Sequence, residues 1–208
     1  MKEFIKHWGI GLTGGIATGK SSVARFLSSL GFIVFDADNL AREVVEPSKP
    51  ALKELVQTFG SGILSQDKSL DRKKLRSIVF KNEEKRRTLE QILHPAIQAL
   101  LEEKLRRSEL ISSPRYWFYE ASLLCETGRD RDFKELWLTD CSYENQLART
   151  LRRDKVSSQA AKRVLAAQMP PEEKKRRAHF IINTDQSPLA VENLIRKKIE
   201  DSGLNLRK

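Results

Sequence analysis

Apolar positions along this chain follow two spacings, and the switches between them outline the fold. "HWGIGL" (7–12) is a short apolar run that stops at a glycine cluster, which predicts a buried strand. Val23, Phe26, Leu27 and Leu30 then recur at helical spacing, and Gly31 follows as a stop. "FIVFDA" (32–37) is short and β-branched, a second strand. "DNLAREVVE" (38–46) opens on Asp38 as a cap and runs as a helix up to Pro47. Strand, helix and strand within roughly 30 residues make a βαβ unit, so the sheet begins parallel.

From Pro50 to about Arg107 the pattern is almost wholly helical. "PALKELVQTFG" carries Pro50 near its first turn and Gly60 at its end; Gly62 to Leu70 reads as a loop. "DRKKLRSIVF" opens a further helix, and "NEEKRRTLEQILHPAIQALLEEKLRR" predicts one or two more, bent at Pro95. One crossover needs far less helix, so this stretch is expected to form a helical insertion. Strand signals resume with "RYWFYEA" (115–121) and "ELWLTDC" (135–141). "SYENQLARTLRRDK" follows as a helix capped by Ser142. "SSQAAKRVLAAQMPPEEKKRRA" reads as a charged helical hairpin cornered at Pro170 and Pro171. "HFIINT" is a last strand, and a closing helix starts at Pro188. The fold class is therefore α/β.

Composition narrows the setting. With 208 residues and 39% hydrophobic positions, the chain can bury one sizeable core. No segment approaches the ~20 apolar residues of a membrane span, and the first residues lack a signal-type apolar stretch. A soluble, cytoplasmic protein without a membrane partner is expected. Cys125 and Cys141 make neither a disulfide framework nor a metal cluster and are expected as small buried groups. The net charge of +10 suits a polyanionic partner, whether nucleic acid, a membrane surface or a phosphorylated small molecule. Its basic runs are scattered over several helices rather than gathered in a tail, so solvated helix faces explain them about as well.

The glycines between Gly9 and Ser22 number five, too many for regular structure without a reason. Gly14-x4-Gly19-Lys20-Ser21 supplies one, because it matches the Walker A phosphate loop. In such a loop the backbone of Gly14, Gly15, Ile16, Ala17, Thr18 and Gly19 curls so that N–H groups face phosphate oxygens. The helix that starts near Lys20 adds its positive end, including Ser22 in its first turn. Lys20 should reach the β- and γ-phosphates, and the Ser21 hydroxyl should ligate Mg²⁺. A strand before the loop and a helix after it are the context this chemistry requires.

Asp36 and Asp38 end the second strand, where α/β sheets gather functional groups. One could accept the proton of an attacking hydroxyl and the other could order Mg²⁺ or its waters; a helix cap needs only one of them. Phosphoryl transfer also needs cations that close over the phosphates. Arg149, Arg152 and Arg153 share one predicted helix, Arg149 and Arg153 sit on one face, and the hairpin after them ends in Lys174–Arg177. Together they read as a lid.

Taken jointly, "GLTGGIATGKSSVA", "LGFIVFDADNLAREVVEP", "ILHPAI", "SLLCET", "QLARTLRRD", "RVLAAQMP" and "IINT" resemble the dephospho-coenzyme A kinases over nearly the whole chain. The resemblance implies a P-loop kinase fold with a five-stranded parallel sheet flanked by helices, a helical substrate-binding insertion and a helical lid. The nucleotide-binding core would be 1–49, 112–150 and 178–208, the coenzyme A-binding domain 50–111, and the lid 151–177. It implies phosphorylation of the ribose 3′-hydroxyl of dephospho-coenzyme A by ATP with Mg²⁺, the last step of coenzyme A biosynthesis. The protein would be a monomer or weak homo-oligomer with no nucleic-acid partner. By matching position, Asp38 is the general base, and Arg149 with lid arginines, Arg153 among them, stabilises the transferring phosphate. Asp36, Leu123, Leu124, Glu126 and His94 would serve the acceptor side, and Asn183 would border the adenine.

Two departures stand out. Ala17 replaces a loop glycine, at an interior position expected not to require a left-handed backbone. Where the family has Asp-x-Pro-Leu-Leu-x-Glu, this chain reads Glu120 to Glu126 with Ser122 in place of the proline, so the turn is expected to be less rigid and no role is carried over to Glu120. Rival readings are another small-molecule P-loop kinase, such as a nucleoside monophosphate kinase, and a nucleic-acid-dependent NTPase. The long insertion disfavours a minimal shikimate-type enzyme. The absence of an N-K-x-D base-reading motif and the spread of basic residues disfavour the NTPase.

Overall fold

A computed structural model describes residues 1–80 and 82–204. Contacts divide the chain into two compact units, Met1–Asp36 with Leu110–Lys208, and Ala37–Glu109. The second unit thus starts at Ala37, ahead of Pro50.

The first unit is built on five parallel strands: β1 (Gly9–Gly14), β2 (Val34–Asp36), β3 (Trp117–Glu120), β4 (Glu135–Asp140) and β5 (Phe180–Asn183). Their order is β2-β3-β1-β4-β5, so β1 lies centrally between β3 and β4. Ile10, Leu12, Trp117, Phe118, Leu136 and Trp137 are fully buried, as strands covered on both faces must be. Phe118 packs edge-on against Phe32 and Trp137, and Trp137 against Phe180, which ties four strand or strand-flanking segments into one aromatic core. Val23 and Leu27 of helix α2 (Lys20–Ser29) join that core with Phe26 and Leu30 packed against it, the face predicted by their spacing, and Ala24 adds to it.

One expected boundary is corrected. His7 and Trp8 belong not to β1 but to a helix, α1 (Lys2–Trp8), which ends at Gly9. Only Ile5 of α1 is buried, so there is no long apolar stripe from which to read this helix. After β4 come α7 (Tyr143–Asp154), α8 (Ser158–Ala166) and α9 (Pro171–Arg177), and α10 (Pro188–Asp201) closes the described chain. Side chains of Ser142, Ser157 and Ser187 accept from backbone N–H groups and cap α7, α8 and α10.

The second unit holds α3 (Ala37–Glu43), α4 (Pro50–Phe59), α5 (Arg72–Phe80) and α6 (Glu83–Arg107). The segment expected to bend at Pro95 is one helix of 25 residues, with Asn82 as its cap. Leu52 and Leu55 of α4, Leu75 of α5 and Leu101 and Leu105 of α6 are buried, which accounts for the apolar positions on these helices. The positive runs of α6 are laced with acids one turn away: Arg87 with Glu83, Arg106 with Glu102 and Arg107 with Glu103. No helix among the described residues is long and apolar enough to cross a membrane.

Candidate active site

The phosphate loop spans the carboxyl end of β1 and the start of α2. Gly19 caps α2 with φ of 86°, a left-handed conformation open chiefly to glycine. Ala17 also has φ of 58°. The expectation that its position needs no left-handed backbone is therefore corrected, and alanine is held there against its preference. The Ser22 and Val23 amides serve the Gly19 carbonyl at 3.0 and 3.2 Å, so Lys20 and Ser21 carry the amides that a helix start leaves without an intrahelical carbonyl.

Lys20 is the first residue of α2, with its side chain only 12% exposed. Its Nζ donates to Glu120 Oε1 at 2.7 Å, and the Ser21 hydroxyl donates to the same oxygen at 2.9 Å. Glu120 ends β3, pairs in register with Leu12 of β1 and Asp36 of β2, and is buried. Sequence reasoning assigned it no role. The signal was present, since an acid closing a strand is the reading already given to Asp36. Two oxygen donors, the Ser21 hydroxyl and the Glu120 carboxylate, lie together here. This set suits Mg²⁺, which takes one or two protein oxygens and completes its shell with phosphates and water. No cluster of three or more metal-ligating acid, His or Cys residues occurs among the described residues.

The Thr18 side chain is structural. Its hydroxyl donates to Gly15 O at 2.8 Å and lies 2.8 Å from Thr139 Oγ1, while its carbonyl accepts from Thr184 Oγ1 at 2.8 Å. Arg149 approaches the loop through the same threonine, with Nη1 on Thr184 Oγ1 at 3.0 Å and Nη2 on Thr184 O at 2.6 Å. Beside them opens a cavity of about 360 Å³ that reaches Gly19 and Ser22. Arg149 and Arg152 give it positive charge and Glu192 one acid, Gln186 adds a polar edge, and Phe26, Pro188 and Ile195 form apolar walls. An apolar slot at the head of α2 can hold a flat base and its sugar.

Other expected site residues lie elsewhere. Arg153 forms a two-pronged pair with Asp154, at 2.7 and 3.0 Å, and that partner pushes its pKa up; Arg152 lines the cavity in its place. Asn183 Oδ1 accepts from Asp185 N in a local turn after β5 and is not among the cavity's walls. Leu124 is buried, and its Cδ1 packs close over Gly11 of β1, whereas Leu123 is exposed. Glu126 Oε1 sits 2.6 Å from the buried Lys174 Nζ, off the hydrogen-bonding direction, and accepts weakly from Met169 N at 3.3 Å. The basic run expected in the lid is tied down as well. Lys175 pairs with Glu172 and Asp140, and Arg177 with Asp130 and the Cys125 carbonyl. Burial, with Asp130 nearby, pushes the Cys125 thiol up to about 11.

In the second unit Asp38 lies exposed in the first turn of α3. Burial and the Arg42 charge push the Arg72 pKa down while Asp38 opposes them, so a basic pair stands beside this acid. His94 is exposed on α6.

The family model for CoaE, dephospho-CoA kinase, matches residues 8–189. The chain is 46% identical over 187 residues to a dephospho-CoA kinase of Geobacter sulfurreducens, covering 89% of this chain and 94% of that one. Among solved structures, TT1252 from Thermus thermophilus matches at 32% identity and a TM-score of 0.79, covering 93% and 97% of the two chains. Dephospho-CoA kinase from Campylobacter jejuni matches at 30% identity and a TM-score of 0.62, covering 93% and 96%. With Walker A loop, strand order and near full-length similarity in agreement, the chain belongs to the dephospho-CoA kinase family.

Proposed function

We propose that this protein transfers the γ-phosphoryl group of ATP to the ribose 3′-hydroxyl of dephospho-coenzyme A, giving ADP and coenzyme A. The observation that carries the reading is the meeting of Lys20, Ser21 and Glu120 at the head of α2, within a chain of this family. Phosphoryl transfer asks a protein mainly for positioning and charge neutralisation. The α2 amides and Lys20 hold the triphosphate, Arg149 and Arg152 neutralise it from the cavity side, and the apolar walls take the base. Asp38 accepts the 3′-hydroxyl proton as the sugar oxygen bonds to the γ-phosphorus and the bond to the bridging oxygen of ADP breaks. Mg²⁺, held by Ser21 with Glu120 behind it, would spread the charge of the phosphates when bound. Asp36, His94 and Leu123 are kept on the acceptor side on the strength of the resemblance.

The intrahelical pairing of basic runs on α6 favours a small acceptor over nucleic acid. A coupled ADP-release assay with ATP, Mg²⁺ and dephospho-coenzyme A tests the reading. Release that depends on dephospho-coenzyme A is expected. Equal release with a nucleoside monophosphate or shikimate, or none above background, overturns it.

A further inference from the structure

The backbone of Ile16, third in the phosphate loop, is held at both its N–H and its carbonyl, which belong to successive peptide units. Its N–H donates to Gln168 Oε1 at 2.7 Å, and its carbonyl accepts from Gln146 Nε2 at 2.8 Å. Gln146 comes from α7 and is buried; Gln168 follows α8. The backbone settles which way each carboxamide faces, because an N–H needs an oxygen and a carbonyl needs an N–H. Gly15 makes room for the grip, since a Cβ there would lie 2.6 Å from Gln146 Nε2. The residue after Gln168 is also anchored, through Met169 N to Glu126 Oε1 at 3.3 Å, with Lys174 beside that carboxylate.

We propose that Gln146 and Gln168 are positioning residues that act through the Ile16 backbone to hold the phosphate loop in its nucleotide-binding shape. Neither glutamine need touch the nucleotide. With the Ile16 N–H turned toward Gln168, the loop meets phosphate through the amides after Ile16. The left-handed Ala17 next in the chain is a strained conformation that needs outside support, and the clasp gives it a fixed neighbour. The segment after α8 thereby sets the loop, so its ordering and nucleotide binding are coupled. This inference rests on the kinase reading only for the identity of the nucleotide.

Two charge-matched variants of the full chain test it. Gln168→Glu keeps an oxygen facing the Ile16 N–H; Gln146→Glu sets a carboxylate oxygen against the Ile16 carbonyl. Both add one negative charge beside the backbone of the same residue. ADP affinity in Mg²⁺ by calorimetry, KM for ATP and for dephospho-coenzyme A, and Tm are read for each, with Gln168→Ala as a third variant. Loss of a buried donor or acceptor predicts that Gln146→Glu and Gln168→Ala weaken ADP about tenfold, and raise KM for ATP in proportion. KM for dephospho-coenzyme A should hold, and Gln168→Glu should recover most of the ADP affinity. Equal ADP affinity in the two glutamate variants, or a fall in Tm with ADP binding untouched in all three, overturns the clasp. Wild-type turnover of dephospho-coenzyme A judges the kinase reading separately, since ADP binding alone judges the clasp.

Discussion

Lys20 Nζ lies 2.7 Å from Glu120 Oε1, and both side chains are largely withdrawn from water. The lysine expected to grip phosphate is thus held by an acid at the end of the neighbouring strand. Breaking such a pair leaves a charge without its partner, so the effects of substitution should separate chemistry from stability. Lys20→Ala should abolish measurable phosphoryl transfer, and Tm should fall because the Glu120 carboxylate loses its cation. Glu120→Gln retains a hydrogen-bond acceptor for Lys20 and Ser21. It should cost less Tm than Lys20→Ala yet still slow kcat by about 10-fold or more, the scale of a lost charge contact at a preorganised site. Turnover by Lys20→Ala at a rate near wild type would remove the lysine from the mechanism.

Asp38→Asn keeps the size of the side chain and removes its basicity. A lost general base lowers kcat by about 10²-fold or more. Steady-state kinetics should show that fall with KM for ATP little changed, and normal turnover would reassign the base.

Arg152 lines the cavity beside Arg149, whereas Arg153 is spent on Asp154. Arg152→Ala should therefore raise KM for ATP more than Arg153→Ala does. A larger effect at Arg153 would mean that the Asp154 pair opens when nucleotide binds.

Ala17 occupies a backbone region that costs a Cβ-bearing residue energy. Ala17→Gly relieves that strain but loosens the unfolded chain, and the balance should favour the folded state by roughly 0.5–1 kcal/mol. Chemical denaturation at constant m reads it directly.

Asp185 accepts from Asn145 Nδ2 at 2.8 Å and Ser142 N at 2.8 Å, and these hydrogen bonds, Asn145 first, hold its pKa below the ordinary 3.8. A carboxylate depressed on folding contributes stability that is present above its unfolded pKa and lost as pH falls through the folded one. Asp185→Asn should thus lower Tm at neutral pH and flatten the loss of Tm below about pH 4. An unchanged acid limb would show that the capping of α7 does not depend on this charge.

Much of this architecture is written in local chemistry. Alternation of spacing places the five strands and most helices, because burial of one face dictates it whatever the rest of the chain does. Gly14-x4-Gly19-Lys20-Ser21 announces its loop because the required backbone shape admits so few residues. Asp36 could be placed at a strand end because it closes the apolar run that begins at Phe32.

The remainder depended on partners distant in the chain. Nothing in "SLLCET" marks Leu124 as core and Glu126 as the partner of Lys174; strand packing and the approach of α9 decide that. Nor does any spacing within "RTLRRD" tell that Arg152 faces the cavity while Arg153 turns to Asp154. Gln146 and Gln168 lie in "QLARTLRRD" and "RVLAAQMP", yet no spacing there gives them a task; folding brings both to the backbone of one phosphate-loop residue. The sequence by itself determined most of the elements and the phosphate loop, since those follow from neighbours along the chain. Which polar side chains surround that loop was decided by tertiary structure alone, since hydrogen bonds and ion pairs form between groups that only the fold makes adjacent.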